Sequence, residues 1–137
     1  MSSTVVVDAS VILHLLIGPD SAAEALSTRF ASTAMHAPDY LAVDVSNTLR
    51  RRRNRGDLGA GEATLALQGL WSLPIQFWQF ETVSARAWQL GHNLTSYDAA
   101  YVALAEQLDA PLITADRRLA RASGPTCTFE VFDGDHG

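Results

Sequence analysis

Asp8, Asp44, Asp98 and Asp116 stand at positions where carboxylates can do chemistry. Asp8 directly follows the β-branched run Thr4–Val7, and Asp116 follows the apolar run Leu112–Thr114 by two residues. Asp98 falls in the first turn of a predicted helix. Asp44 is planted among Leu41, Val43 and Val45 in another. Singly, each has a plain structural role as a turn residue, a helix cap or a complement to a helix dipole. Brought together, they would repel one another and demand a counter-ion. A hard divalent cation answers that demand. Magnesium takes oxygen ligands, keeps several waters and completes its shell with substrate phosphate. One ion would make a bound water acidic, and a second would stabilise the leaving oxygen of a phosphodiester. The expected metal ligands are therefore Asp8, Asp44, Asp98 and Asp116, with Mg2+ as cofactor and Mn2+ as a substitute.

These carboxylates need elements to carry them. Thr4–Val7 reads as a buried strand, followed by a helix over Val11–Leu16. Gly18-Pro19-Asp20 breaks that helix, and Asp20 is placed to cap the next, Ser21 to about Ala31. Thr33–Ala37 is a second strand. Pro38-Asp39 opens a helix to about Asn54, with Leu41, Val45, Thr48 and Leu49 at helical spacing. Gly59–Leu70 is the next helix, Ile75–Phe80 a strand and Thr82–His92 a helix. Ser96 is expected to cap Tyr97–Leu108. Leu112–Thr114, a short helix Asp116–Ala122 and the strand Phe129–Phe132 complete the chain. Strands separated by helices predict an α/β fold with a mainly parallel sheet. Ligands in such folds sit beyond the carboxyl ends of the strands, where Asp8 and Asp116 fall.

Composition narrows the chemistry. All ten basic residues are arginine. Without lysine there is no P-loop of the usual kind and no Schiff base. A net charge of −5 argues against a general nucleic-acid coat, yet bound cations and clustered arginines would still admit RNA. The length of 137 residues fits one domain, 1–137. No apolar run is long enough for a membrane span, and the start lacks a basic signal region. A lone cysteine, Cys127, permits no internal disulfide and reads as an inert thiol; a cytoplasmic location is expected.

Arg50–Arg53 and Arg55 end the Asp44 helix. There they complement its dipole, and Arg51 among them offers a phosphate contact. Arg117 and Arg118, next to Asp116, could reach substrate phosphate or form salt bridges. His14, His36, His92 and His136 show no metal-ligand spacing, and no histidine base is expected. Trp71, Trp78, Trp88, Phe77, Phe80 and Tyr101 read as core or interface residues. Exposure between Trp71 and Phe80 would mark a dimer or partner surface.

Val5-Val6-Val7-Asp8-Ala9-Ser10 resembles the opening motif of PIN-domain nucleases. Ala37-Pro38 with Asp44 and Asn47–Arg51 resembles the second motif, Ser96–Ala105 the third and Leu112–Leu119 the fourth. The resemblance spans nearly the whole chain, and its length resembles the VapC-type toxins of VapBC toxin–antitoxin pairs. It implies a five-stranded sheet in the order 3-2-1-4-5 flanked by helices, and a metal-dependent endoribonuclease acting on tRNA, rRNA or mRNA. It also implies a VapB-like antitoxin and a homodimer. Ser10 and Thr114 would orient the carboxylates or water. The family usually carries Glu where this chain has Asp44, whose carboxylate reaches about 1.5 Å less.

Two rivals use the same residues. A PIN-like module could bind RNA or antitoxin while cutting weakly, which the shorter Asp44 would favour. A phosphotransfer protein also places Asp after its first strand. Those proteins look to a lysine at the phosphoryl group, and this chain has none.

Overall fold

The computed structural model describes residues 3–133, so His136 lies outside the described residues. The chain alternates β1 (Ser3–Val7), α1 (Ala9–Ile17), α2 (Asp20–Phe30), β2 (Thr33–Pro38), α3 (Tyr40–Asn54) and α4 (Ala60–Ser72). It continues with β3 (Ile75–Trp78), a 3-10 turn (Phe80–Thr82), α5 (Ser84–Gln89) and α6 (Ser96–Leu108). β4 (Leu112–Thr114), α7 (Arg117–Ala120) and β5 (Phe129–Val131) follow. The strands form one sheet in the order β3-β2-β1-β4-β5. Every pairing is parallel, so the sheet is wholly and not mainly parallel.

Parallel strands need crossovers, and the crossover helices cover both faces of the sheet. The middle of the sheet is accordingly apolar: Val5, Val6 and Val7 of β1 and Leu112 of β4 have no exposed surface. α6 packs against β1, β2 and β4. Its residues Ala99–Ala105 are all buried, and four of those seven are alanine, so the helix can approach the sheet closely. α3 buries the stripe Leu41, Val45 and Leu49, one turn apart each time. Val7 pairs with Ile113, which brings the carboxyl ends of β1 and β4 side by side.

Several boundaries differ from the sequence-based expectation. α1 begins at Ala9, because the Asp8 side chain accepts from Val11 N–H and caps the helix there. Asp20 is inside α2 and not its cap; Pro19 holds that position without a side-chain bond. Ser96 is also inside its helix. Thr95 caps α6, accepting from Asp98 N–H at 3.2 Å. The expected helix Thr82–His92 is only α5, because the chain first makes the turn at Phe80–Thr82 and leaves the helix at Leu90. That turn also stops β3 at Trp78, short of Phe80.

Candidate active site

Asp8 directly follows β1 and is 6% exposed. Its Oδ1 accepts from Ser10 Oγ at 2.6 Å and Val11 N at 3.2 Å, and its Oδ2 accepts from Thr114 Oγ1. Thr114 is the last residue of β4, so this bond joins the two strand ends. Ser10 Oγ accepts from Ala115 N at 2.9 Å, and Thr114 Oγ1 from Asp116 N at 3.0 Å. Ser10 and Thr114 are thus held on both sides, each donating to Asp8 and accepting from the β4–α7 connection. Burial pushes the Asp8 carboxyl up to about 6, against the pull of these hydrogen bonds, and the nearby Asp116 charge adds to the rise.

Asp116 caps α7, its Oδ1 accepting from Arg118 N at 2.9 Å and Leu119 N at 3.3 Å. Asp98 stands in the first turn of α6, half-buried. Burial first and then the charge of Asp116 raise its pKa; Asp44 adds to this, while Thr95 and Arg118 oppose it. Asp44, half-buried beside the apolar stripe of α3, is raised by burial and lowered by Arg51. The aspartates therefore feel one another in sequence: Asp8 with Asp116, Asp116 with Asp98, and Asp98 with Asp44. Among the described residues, no three His, Cys, Asp or Glu side chains are close enough to enclose an ion as they stand. The two observations agree, because charge acts over longer distances than a coordination bond of about 2.1 Å. The carboxylates lie near enough for their charges to act in turn, without enclosing an ion.

Tyr101 brings an unsatisfied polar group close to these carboxylates. Tyr101 is buried on α6, and its hydroxyl has no hydrogen-bond partner. Its pKa is pushed far up, by burial first and then by Asp44, Asp8 and Asp98. The Ala9 backbone N–H opposes that rise. A buried hydroxyl left alone costs about 1–3 kcal/mol. Water or a hydrated cation among the carboxylates would relieve both the repulsion and the orphaned hydroxyl. The donor set is all oxygen, which suits a hard cation. Tyr101 reads as a core residue in the sequence. Its position one turn after Asp98, on the same helix face, was the signal for a second role.

The remaining expected contacts separate. Arg117 pairs with Asp133 at 2.8 Å. Arg118 is exposed and acts on Asp98 through its charge. Arg51 bonds Thr48 at 3.2 Å and acts on Asp44 through its charge from about two turns along α3. His14 packs against the Phe132 ring at 5.7 Å, and His36 Nδ1 accepts from Trp78 Nε1 at 2.9 Å. Trp71 and Trp88, grouped in the sequence with core or interface aromatics, are 63% and 84% exposed, and Phe80 is also exposed. Cys127 is half-buried with its thiol pKa raised to about 11, chiefly by burial, as befits an inert thiol.

Residues 5–125 match the PIN domain. The chain is 35% identical over 127 residues to Ribonuclease VapC1 of Mycobacterium tuberculosis, covering 92% of this chain and 96% of that protein. It is 38% identical over 118 residues to Ribonuclease VapC3 of the same species, covering 86% of each. In fold it resembles the crystal structure of DNA-bound VapBC from Salmonella typhimurium, with a TM-score of 0.68 and 14% identity over 96% of this chain and 98% of that one. The motifs, the sheet order and these relatives agree: the chain belongs to the PIN-domain family, among the VapC ribonucleases.

Proposed function

We propose that this chain is a metal-dependent endoribonuclease and the toxin of a VapBC-type pair. The reading rests on the hydrogen-bonded joint between β1 and β4, which holds the buried Asp8 carboxylate at the strand ends, and on the charges of Asp116, Asp98 and Asp44, which act on one another in turn from there. Those four aspartates would hold Mg2+, or Mn2+ in its place. When bound, the ion supplies an acidified water and neutralises phosphate charge. Ser10 and Thr114 fix the rotamer of Asp8; Oδ1 already accepts two bonds, and Oδ2, which accepts only from Thr114, keeps a lone pair for a ligand. Tyr101 offers its hydroxyl to a water beneath the substrate. Arg118 and Arg51 stand near Asp98 and Asp44, where they can meet RNA phosphates; Arg117 would first have to leave Asp133. The substrate class is tRNA, rRNA or mRNA, cut at a phosphodiester by water.

The relatives' names and the VapBC assembly of similar fold support a VapB-like antitoxin as partner, and the reading adds a second copy of this chain. The exposed Trp71, and Leu65 on the same helix, provide apolar surface for such a contact. No helix among the described residues is long and apolar enough to cross a membrane.

The test is cleavage of single-stranded RNA by the purified chain with Mg2+ or Mn2+. Activity should vanish on chelation and fall about a hundredfold or more in Asp98→Asn. Cutting that survives chelation, or is undiminished in the variant, would sink the proposal. A second reading, a weakly cutting RNA- or antitoxin-binding module, is favoured by the carboxylates' failure to close around an ion and by the short Asp44. Asp44→Glu separates the two: it should raise cleavage if reach is limiting, and leave a binding module unchanged.

A further inference from the structure

Beside the carboxylates lies a cavity of about 500 Å³, lined by residues from the starts of α3 and α6 and by Phe80. Its wall is aromatic. Tyr40 and Tyr97 stack with ring centroids 4.4 Å apart at 17°, and Tyr97 is still 55% exposed. Phe80 and Val43 are exposed across the cavity. Asp39 stands in the lining. It occupies the cap position of α3, yet its side chain makes no capping bond there. Among the described residues it accepts no side-chain hydrogen bond and joins no ion pair. Position ties the cavity to the chemistry. Tyr40 is one turn before Asp44 on α3 and feels its charge, and Tyr97 immediately precedes Asp98.

We propose that this cavity binds one unpaired guanine of the RNA substrate, stacked on Tyr97 and read by Asp39. The inference rests on the ribonuclease reading above. Unpaired bases are held in proteins by stacking on aromatic rings and by hydrogen bonds to their Watson–Crick edge. An uncommitted carboxylate selects among the bases by what each edge donates. Guanine presents two adjacent donors, N1–H and N2–H, which match the two carboxylate oxygens. Adenine and cytosine place a ring-nitrogen lone pair beside their single amino group, and uracil flanks N3–H with carbonyls; each of these acceptors repels a carboxylate. The occupant is a base and not an apolar side chain, because a buried aliphatic group would leave the Asp39 carboxylate desolvated and unpaired. A guanine seated here sets its own sugar-phosphate beside Asp44 and Asp98, so base choice and cleavage position are linked.

The test uses the full chain and fluorescein-labelled uridine heptaribonucleotides whose central base is guanine, inosine or adenine. Calcium replaces magnesium to neutralise the carboxylates. Inosine keeps N1–H and lacks the N2 amine. Anisotropy should show guanine bound at least about tenfold more tightly than inosine or adenine. Asp39→Asn should erase the guanine–inosine difference, and Tyr97→Ala should weaken all three by about tenfold. Asp39 makes no capping bond, so its variant should melt as the wild type does, and a matched melting curve verifies this. Equal affinity for guanine and inosine, or a preference intact in Asp39→Asn, overturns the assignment. Manganese-dependent cleavage of the same oligonucleotides separates the two ideas. Cutting without base preference removes the guanine pocket and leaves the ribonuclease; guanine preference without cutting keeps the pocket and removes the ribonuclease.

Discussion

Burial raises the Asp8 carboxyl from 3.8 to about 6, and this makes stability depend on pH with a definite sign. Below pH 3.8 both the folded and the unfolded chain hold the proton. Between 3.8 and 6 the folded chain keeps a proton that the unfolded chain has lost. Stability contributed by the protonated form is therefore lost as pH rises through that window, by up to about 3 kcal/mol, and then levels off. Asp44 and Asp98, also raised, act in the same direction; Glu106, lowered by its bonds to Arg86 and Thr126, acts against it. Urea melts of the chelated protein from pH 4 to 7 should show this decline, and Asp8→Asn should flatten it. A flat wild-type profile would contradict the burial argument. Tyr101 gives a second residue-scale prediction. Tyr101→Phe removes a hydroxyl with no partner, so the chelated variant should be at least as stable as wild type. If that hydroxyl serves a hydrated ion, the stabilisation by manganese should shrink in the variant. An unchanged manganese effect would confine Tyr101 to packing.

At the scale of elements, three of the four aspartates sit at helix starts. Asp8 caps α1, Asp116 caps α7 and Asp98 is in the first turn of α6. The backbone N–H groups there favour negative charge, and they bond the Asp8 and Asp116 carboxylates directly. The capping of α6 is testable. Thr95→Ala should cost about 1 kcal/mol in denaturant melts, whereas Ser96→Ala should be nearly neutral. The reverse order would return the cap to Ser96. That choice was not legible in the sequence, because adjacent Thr and Ser satisfy the same local rule and only the entry angle of the chain decides between them. The major elements were legible, since β1 and β4 are short β-branched or apolar runs and α3 shows its stripe plainly. The exposure of Trp88 was legible too, though it was obscured by the residue's size. Val83, Ala87 and Leu90 are buried at helical spacing, which turns Trp88 outward. The break at Phe80–Thr82 left no comparable mark.

At the scale of the molecule, strand order cannot be read from periodicity, because every buried parallel strand has the same pattern. The order came from resemblance to a family, and the sheet agrees with it. Convergence of Asp8 and Asp116 followed from the rule that sites lie at strand ends. The flanking positions of Asp44 and Asp98 needed the packing of α3 and α6 around those ends. A chain of net charge −5 with facing carboxylates should gain from a cation that binds only the folded state. Manganese at a hundred times its dissociation constant would add about 2.7 kcal/mol. Thermal melts with and without manganese should differ accordingly, and Asp8→Asn combined with Asp98→Asn should abolish the difference. No shift in wild type would count against any ion at this site.

Thr114 donates to a carboxylate 106 positions earlier in the chain. During synthesis, then, the amino-terminal acid must wait for nearly all of its own polypeptide before its clasp exists. A nascent chain halted anywhere before Leu112 has no fourth strand to lie beside the first. If the finished protein attacks RNA, forms halted before Leu112 should not, and attack would wait on the last fifth of the chain.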